Sequence, residues 1–429
     1  MLRLMSYLRL AAAHRRILAF GFALTLFSSF GQTFFIALFG AEIRGEFGLT
    51  HGSFGALYAL ATLGSGFILI WLGGAIDRVS LRVYVRVVVA GLVTAAVLFG
   101  SARGLLWLGI AVFTLRLFGQ GLMSHTAMTT MSRFFSTSRG KAMSIAALGF
   151  PIGEAVLPRL FVAVKEAVGW RISWAIVALG LAAILVPFVE WLLRKAVRGE
   201  LGETDASAVR ETKAGAPEPP GSPRQWSRRE VARDPRFHLV LPAVLAPPFI
   251  ATGVFFHQVA LVEAKGWTVE WFAVSFAAFA ASQVAASLSV GPLVDRWGAS
   301  RLLRTYLLPL AAGLLLLAVS RAPVVAMLFM LAAGVTGGVQ STVAGAYWAE
   351  VYGVRHLGAI RSLVMALMVF STAAAPVLSG WMIDTGRSME FLAALCLGGA
   401  LAATGLAAWG GRLSSPGGVN ASGTRGSSP

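Results

Sequence analysis

Gly73-Gly-Ala-Ile-Asp77-Arg78 returns in the second half of the chain as Gly291-Pro-Leu-Val-Asp295-Arg296. The recurrence is wider than these six residues. Gly73, Asp77, Arg78, Arg86, Arg103, Gly119, Gly140, Ser144 and Pro158 reappear as Gly291, Asp295, Arg296, Arg304, Arg321, Gly337, Gly358, Ser362 and Pro376, all at one offset of 218 positions. A single gap-free register that lays loops on loops and apolar runs on apolar runs marks a duplicated unit. Parallel halves of this kind are how many membrane carriers build a site between two rocking bundles.

Outward from these loops the chain is a succession of apolar runs. Of its 429 residues 57% are apolar and 13% charged, against about 25% charged in a soluble globular chain. A helix needs about 20 apolar residues to cross the hydrocarbon core. Runs of that kind fall at 17–40, 53–76, 83–102, 105–131, 142–164 and 172–193, and again at 237–263, 271–291, 302–320, 323–350, 360–382 and 389–411. The expectation is an all-α integral membrane protein with twelve transmembrane helices in two six-helix halves, residues 1–193 and 237–412. The linker at 194–236 contains Ala-Pro-Glu-Pro-Pro-Gly at 216–221, and the tail at 413–429 is rich in Gly and Ser. Both compositions lack the apolar residues needed for a core and predict disorder.

The net charge of +17 reads as topology. With the N-terminus inside, and residues near a span end assigned to the nearer side, 27 of the 36 Lys and Arg fall on the cytoplasmic side, 8 outside and one, Arg116, within a span. This is the positive-inside asymmetry, and it removes the need for a nucleic-acid partner to explain the charge. Arg3, Arg9, Arg15 and Arg16 precede an apolar run too long for a signal-peptide core, which predicts an uncleaved first span. Cys396 is the only cysteine, so neither a disulfide framework nor a thiolate cluster is available.

The duplicated Gly-x-x-x-Asp-Arg loops between second and third helices of each half resemble the signature of the major facilitator superfamily. Arg133-Phe-Phe-Ser-Thr-Ser-Arg139-Gly140-Lys141-Ala-Met-Ser, leading into the fifth helix, is similar to the monocarboxylate and oxalate-formate porter branch. The resemblance implies alternating-access transport of a small organic solute, with a monocarboxylate-like anion as the implied cargo. The monocarboxylate porters carry a lysine in the first helix and an Asp/Arg pair in the eighth. Here the comparable stretches, Gln32-Thr33-Phe34 and 279–289, hold no charge.

Four loop residues have a physical role to offer: Asp77, Arg78, Asp295 and Arg296 can form charge-assisted bonds that latch the cytoplasmic helix ends, or simply set topology through their positive neighbours. Within the spans, Arg116 stands out, since a charge there is costly and normally faces a bundle interior or aqueous cavity. Its guanidinium suits a carboxylate. Glu154, midway along the antiparallel fifth span, offers either a structural partner for Arg116 or a proton-exchanging group. Gln32, Gln120, His257, Gln283 and Gln340 are further candidates for the substrate site, His257 also for proton transfer; each equally fits an interhelical hydrogen bond. Gly149 with Gly153, and Gly334 with Gly338, read as close-packing faces.

An enzyme would need an acid, base, nucleophile or metal constellation, and neither a His-Glu-x-x-His, a Gly-x-Ser-x-Gly nor a Walker sequence occurs. No cofactor or metal is therefore expected. The sequence predicts a monomeric multi-pass carrier in a bacterial inner membrane, both termini cytoplasmic, with protons as a coupling ion. Efflux of drugs or metabolites and non-transporting sensing are the competing functions on the same scaffold.

Overall fold

The computed structural model describes residues 9–135, 139–199, 225–353 and 356–413. Ten segments are long and apolar enough to cross a membrane. In the first half these are α1 (Arg15–Ala37), α2 (His51–Gly74), α3 (Leu81–Gly100), α4 (Leu105–Phe134) and the long Lys141–Arg194. The last turns at Gly169, whose φ of 78° and ψ of 165° end one helix and start another, and is therefore two helices, α5 (141–168) and α6 (170–194). The second half holds α7 (Pro235–Phe256), α8 (Val269–Trp297), the shorter apolar α9 (Leu308–Val319), α10 (Val324–Tyr352), α11 (Leu357–Asp384) and α12 (Met389–Leu413). Among the described residues these long apolar helices number twelve, α9 the shortest, as the apolar runs predict. Helix α9 starts later than the expected 302 because Pro309 sits in its first turn, where a proline is tolerated but cannot donate to a preceding turn.

The outer faces are apolar and bare: Leu106 is 81% exposed and Leu60 73%. In a chain of this composition, that surface is the lipid-facing one. The expected linker is narrower than 194–236. Helix continues through Gly199, and the segment from Trp226 docks on the end of α10, with the Trp226 backbone N–H on the Tyr352 carbonyl at 3.1 Å. A capping box between Ser227 and Glu230 opens the short helix Arg228–Val231. The Pro-rich stretch at 216–221 and the tail from 414 lie outside the described residues.

Helix α2 packs along α11 and α5 along α8, and the Thr33–Ala37 part of α1 meets α7, so the halves join through these helices. Among the described residues their apolar interiors join only at the end remote from the linker, the far end. One apolar cluster runs through the whole first half into Phe255, Phe256, Phe276 and Leu314 of the second; a separate one, with Phe237, Tyr347, Trp348 and Tyr352, fills the linker end of the second half. The rings that bridge the halves are Phe34 on Phe276 at 5.7 Å, and Phe54 and Tyr58 on Phe256 at 4.9 and 4.8 Å.

Candidate functional site

Helix α1 is broken near its middle. Arg15–Phe27 is α-helical, Ser28–Gly31 tightens to a 3-10 turn, Gln32 is extended (φ −80°, ψ 154°), and a second helix begins at Thr33. Ser28 turns its hydroxyl back to the Thr25 carbonyl at 2.6 Å, offering the backbone an alternative to the regular ladder. What makes room for the break is glycine. Gly31 lies so close to Gly119 of α4 that a Cβ on either would stand 2.7 Å from the other's Cα. On the opposite flank Gly149 and Gly153 of α5 admit Thr25 and Ser29, which is the close packing that their spacing predicts. Around Gly119, residues Leu115–Met123 form a π-helical segment, a widening often found at functional sites.

Arg116 occupies this widened segment and is 6% exposed. Its Nε donates to Thr62 Oγ1 and an Nη to the Gly31 carbonyl, both at 3.2 Å. The guanidinium carbon stands 5.1 Å from the centre of the Tyr58 ring, and Tyr58 in turn shares a hydrogen bond with Thr33 at 2.7 Å. All of these partners are neutral. The two bonds engage two of the five N–H groups of an arginine, so the charge is held without a carboxylate.

The alternative of an Arg116–Glu154 ion pair is not realised among the described residues. Ser28–Gly31 is wedged between the helices that carry them, Gly31 against Gly119 and Ser29 against Gly153. Glu154 Oε2 is buried without a hydrogen-bond partner, as are Gln120 Oε1, Ser29 Oγ and Ser124 Oγ. A band of unsatisfied acceptors and donors thus surrounds the break in α1, an arrangement that native proteins rarely keep without a use.

A model of the Major Facilitator Superfamily matches residues 21–282 and 248–427. The chain belongs to the Major Facilitator Superfamily. It is accordingly a transporter of small molecules held in a membrane and not an enzyme. No curated protein matches it. Among solved structures it is similar to a bacterial homolog of the human lysosomal transporter Spinster, in an inward-facing and unoccupied conformation, with 16% identity, a TM-score of 0.62, and 93% of this chain and 94% of that one covered. It is also similar to the nucleoside transporter NupG, at 13% identity and a TM-score of 0.67, covering 92% of this chain and 98% of that one. At these identities the likeness concerns the fold.

In this facilitator the remaining candidates are dispersed. Gln32 is the extended residue of the α1 break and Gln120 lies one turn from Arg116, so these three gather in the first half. His257 lies at the far end, bonded to His51 and to the Pro376 carbonyl. Gln340 is tied to the Val244 carbonyl at 2.6 Å and borders a cavity of about 370 Å³ between α7, α10 and α11, lined also by Trp348, Arg361, Met365 and Met368. Gln283 faces the glycine stripe of α10, 3.4 Å from where a Cβ of Gly337 would be. Of the four loop residues, Arg78 and Arg296 are exposed, and the side chains of Asp77 and Asp295 lie outside the described residues. His125 donates from Nε2 to the Gly73 carbonyl at 3.1 Å, and Arg133 reaches the Ile76 carbonyl at 3.3 Å, so α4 holds the first of these loops.

Tyr58, Thr62 and Thr33 are site residues that the reading of charges and amides passed over. Tyr58 and Thr62 had a signal: two polar groups four apart on α2, with Ser65 three further on, hence on one helix face.

Proposed function

We propose that this facilitator is a secondary carrier of a small organic anion, of the monocarboxylate kind, working by alternating access. The observation that carries the reading is Arg116: a buried guanidinium whose partners are all neutral leaves a positive site for a negative solute. Gln120, one turn along α4, supplies an unused hydrogen-bonding atom, Ser29 another on the α5 flank of the break, and Gln32 sits in the break. Glu154, across the α1 wedge, is the proton-exchanging group of this scheme, supported by its unpartnered buried oxygen. The linker end is the cytoplasmic end, on the asymmetry of Lys and Arg, in a bacterial inner membrane, and the carrier acts as a monomer. The loops at Asp77–Arg78 and Asp295–Arg296 guard the cytoplasmic opening, one of them tethered to α4 as described.

A second reading has its own support. The cavity of about 370 Å³ walled by Trp348, Met365 and Met368 fits a bulkier apolar solute, as an efflux carrier would take. The two separate in proteoliposomes loaded with wild type or Arg116→Gln and offered labelled monocarboxylates, dicarboxylates, neutral aromatics or cationic aromatics, with and without a proton gradient. Gradient-driven anion uptake that the variant loses supports the anion carrier. Indifference to anions, with an aromatic solute carried equally by both proteins, overturns it.

A further inference from the structure

At the far end the two halves are joined by a compact set of polar contacts. The carboxylate of Asp384, the last residue of α11, accepts the backbone N–H groups of His51 at 3.0 Å and Gly52 at 2.7 Å, capping the N-terminus of α2 from the other half. Beside this cap, His51 Nδ1 and His257 Nδ1 are 3.4 Å apart with rings at 5.4 Å. Gln258, the next residue, donates to the Phe34 carbonyl of α1 at 2.9 Å. These bonds hold the first half to the second where the apolar core is continuous.

The tautomers of the two rings follow from what they touch. His257 Nε2 faces the Pro376 carbonyl at 3.0 Å, and a carbonyl only accepts, so Nε2 carries the proton. Neutral His257 then has a bare Nδ1, and the bond to His51 requires that His51 donate from its own Nδ1. One added proton is accommodated, because protonated His257 donates from both nitrogens and His51 changes tautomer to accept. Two added protons are not: each Nδ1 then bears hydrogen, and two like charges face each other with no acceptor between them.

The neighbours do not rescue the doubly protonated pair. The short helix Gly40–Phe47 presents Arg44, a further positive charge, with Glu42 on its own helix; the segment after His257 contributes Glu263, whose nearest role is toward Arg44. From α11 comes Asp384, which attracts both rings but is already committed to the α2 backbone. His257 also borders a cavity of about 30 Å³ with Ser379 and Cys396, room for about one water molecule.

We infer that the His51–His257 contact is a proton-operated latch of the far-end gate, closed while the pair holds no more than one added proton and released when it takes a second. The latch requires a carrier that alternates between states but is independent of the solute. Opening binds a proton that the closed state excludes, so closure is strongest at pH above the ordinary imidazole range, about 6.5, and weakens as pH falls below it. A solute-coupled proton entering from the far side would meet this pair before any group at the α1 break.

The test reads conformation without solute. Spin labels on Ser101→Cys and Ala322→Cys, exposed residues at the far ends of the two halves, in a Cys396→Ala background, report the far-end separation in nanodiscs. Between about pH 8 and pH 5 the long-distance population rises by about tenfold for each unit by which opening favours the second proton. In His51→Gln/His257→Gln the dependence on pH disappears, while Asp384→Asn raises the open population at each pH with the slope retained. Unchanged melting of each variant at pH 8 establishes that it is folded; should the double variant melt early, His257→Asn alone provides the flat curve. A pH response that survives loss of both imidazoles, or none in the parent, overturns the latch. Neither result bears on anion specificity, which the uptake experiment decides separately.

Discussion

The two halves of this chain share a register and differ at their centres. Arg116 and Gln120 of α4 correspond, 218 positions on, to Gly334 and Gly338 of α10. In the second half these glycines let α8 lie directly on α10: a Cβ at Gly334 would strike Ser282 and the Phe279 backbone, and one at Gly338 would stand 2.9 Å from the Ala286 Cβ. In the first half the same two places hold an arginine and an amide, and α4 widens into a π segment where α10 stays regular. A duplicated scaffold has thus kept its frame and exchanged a packing pair for a polar pair in one copy. On the proposed reading, the polar groups available to a solute are those of the first half.

Nearer the far end the halves solve one problem with opposite charges. In the first, Arg171 at the start of α6 donates to the Gly100 carbonyl at 2.8 Å and pairs with Glu46, which follows α1. In the second, Lys265, which follows α7, donates to the Leu317 and Ser320 carbonyls at 2.6 and 3.1 Å and pairs with Glu390 of α12 at 3.1 Å. Each tie satisfies carbonyls left open at the end of the third helix of its half, one position out of the strict register and with the signs reversed. The Lys265 side chain is fully buried and that of Arg171 is 34% exposed.

This difference in burial sets the largest expected effect. Lys265→Met leaves two carbonyls without their donor and takes one of two cations from the partly exposed Glu390, which keeps Arg321 at 3.3 Å, and lowers stability by about 2–4 kcal/mol, read as thermal unfolding in detergent; Arg171→Met, in a wetter setting, costs about 1 kcal/mol or less. Equal losses would show that the two ties are energetically the same. Next in size, Gly334→Leu forces α8 off α10 and costs about 1–3 kcal/mol. Its counterpart Arg116→Leu is expected to leave the melting temperature unchanged or raised, since an apolar side chain replaces a buried charge without a counter-ion, while solute transport is lost. A fall in melting as large as that of Gly334→Leu would mean that Arg116 holds the α1 break together and is a structural element first.

The frame was legible from particular residues. The 218-residue register located both loops, and the apolar runs located every spanning helix, because the bilayer demands one length and one composition. Gly149 and Gly153 were legible as packing surfaces for the same reason that any small pair four apart is. Arg116 was visible because charge within a span is rare. What the sequence did not disclose is how the polar residues sort among themselves: Glu154 and Arg116 look like partners until the broken α1 comes between them, and His257 looks like a lone histidine until α2 brings His51 to it. Both are long-range juxtapositions with no local signal. Neither the extended Gln32 nor the π segment leaves a pattern in hydropathy.

The smallest effect belongs to Glu46, which lies outside the spans in the short helix Gly40–Phe47 after α1. A hydrogen bond from Arg171 holds its carboxyl below the ordinary value of 4.5, with the Trp170 indole assisting at 3.0 Å and partial burial opposing. A depressed carboxyl stabilises the folded form at pH above its unfolded range, and that contribution is lost as pH falls through the depressed value. The tie at the end of α3 should therefore loosen only below about pH 4.5, by less than about 1 kcal/mol because the pair is exposed. Amide exchange at Ser101 and Ala102, whose N–H groups donate to the Val97 and Phe99 carbonyls at 3.0 and 3.3 Å beside the Gly100 carbonyl that Arg171 caps, is the local readout. In Glu46→Gln, which keeps an acceptor for Trp170 but no charge, exchange there becomes independent of pH after correction for intrinsic rates. Acid loosening that persists in the variant would assign the response to another group and leave the charge reversal between the halves without a consequence for stability.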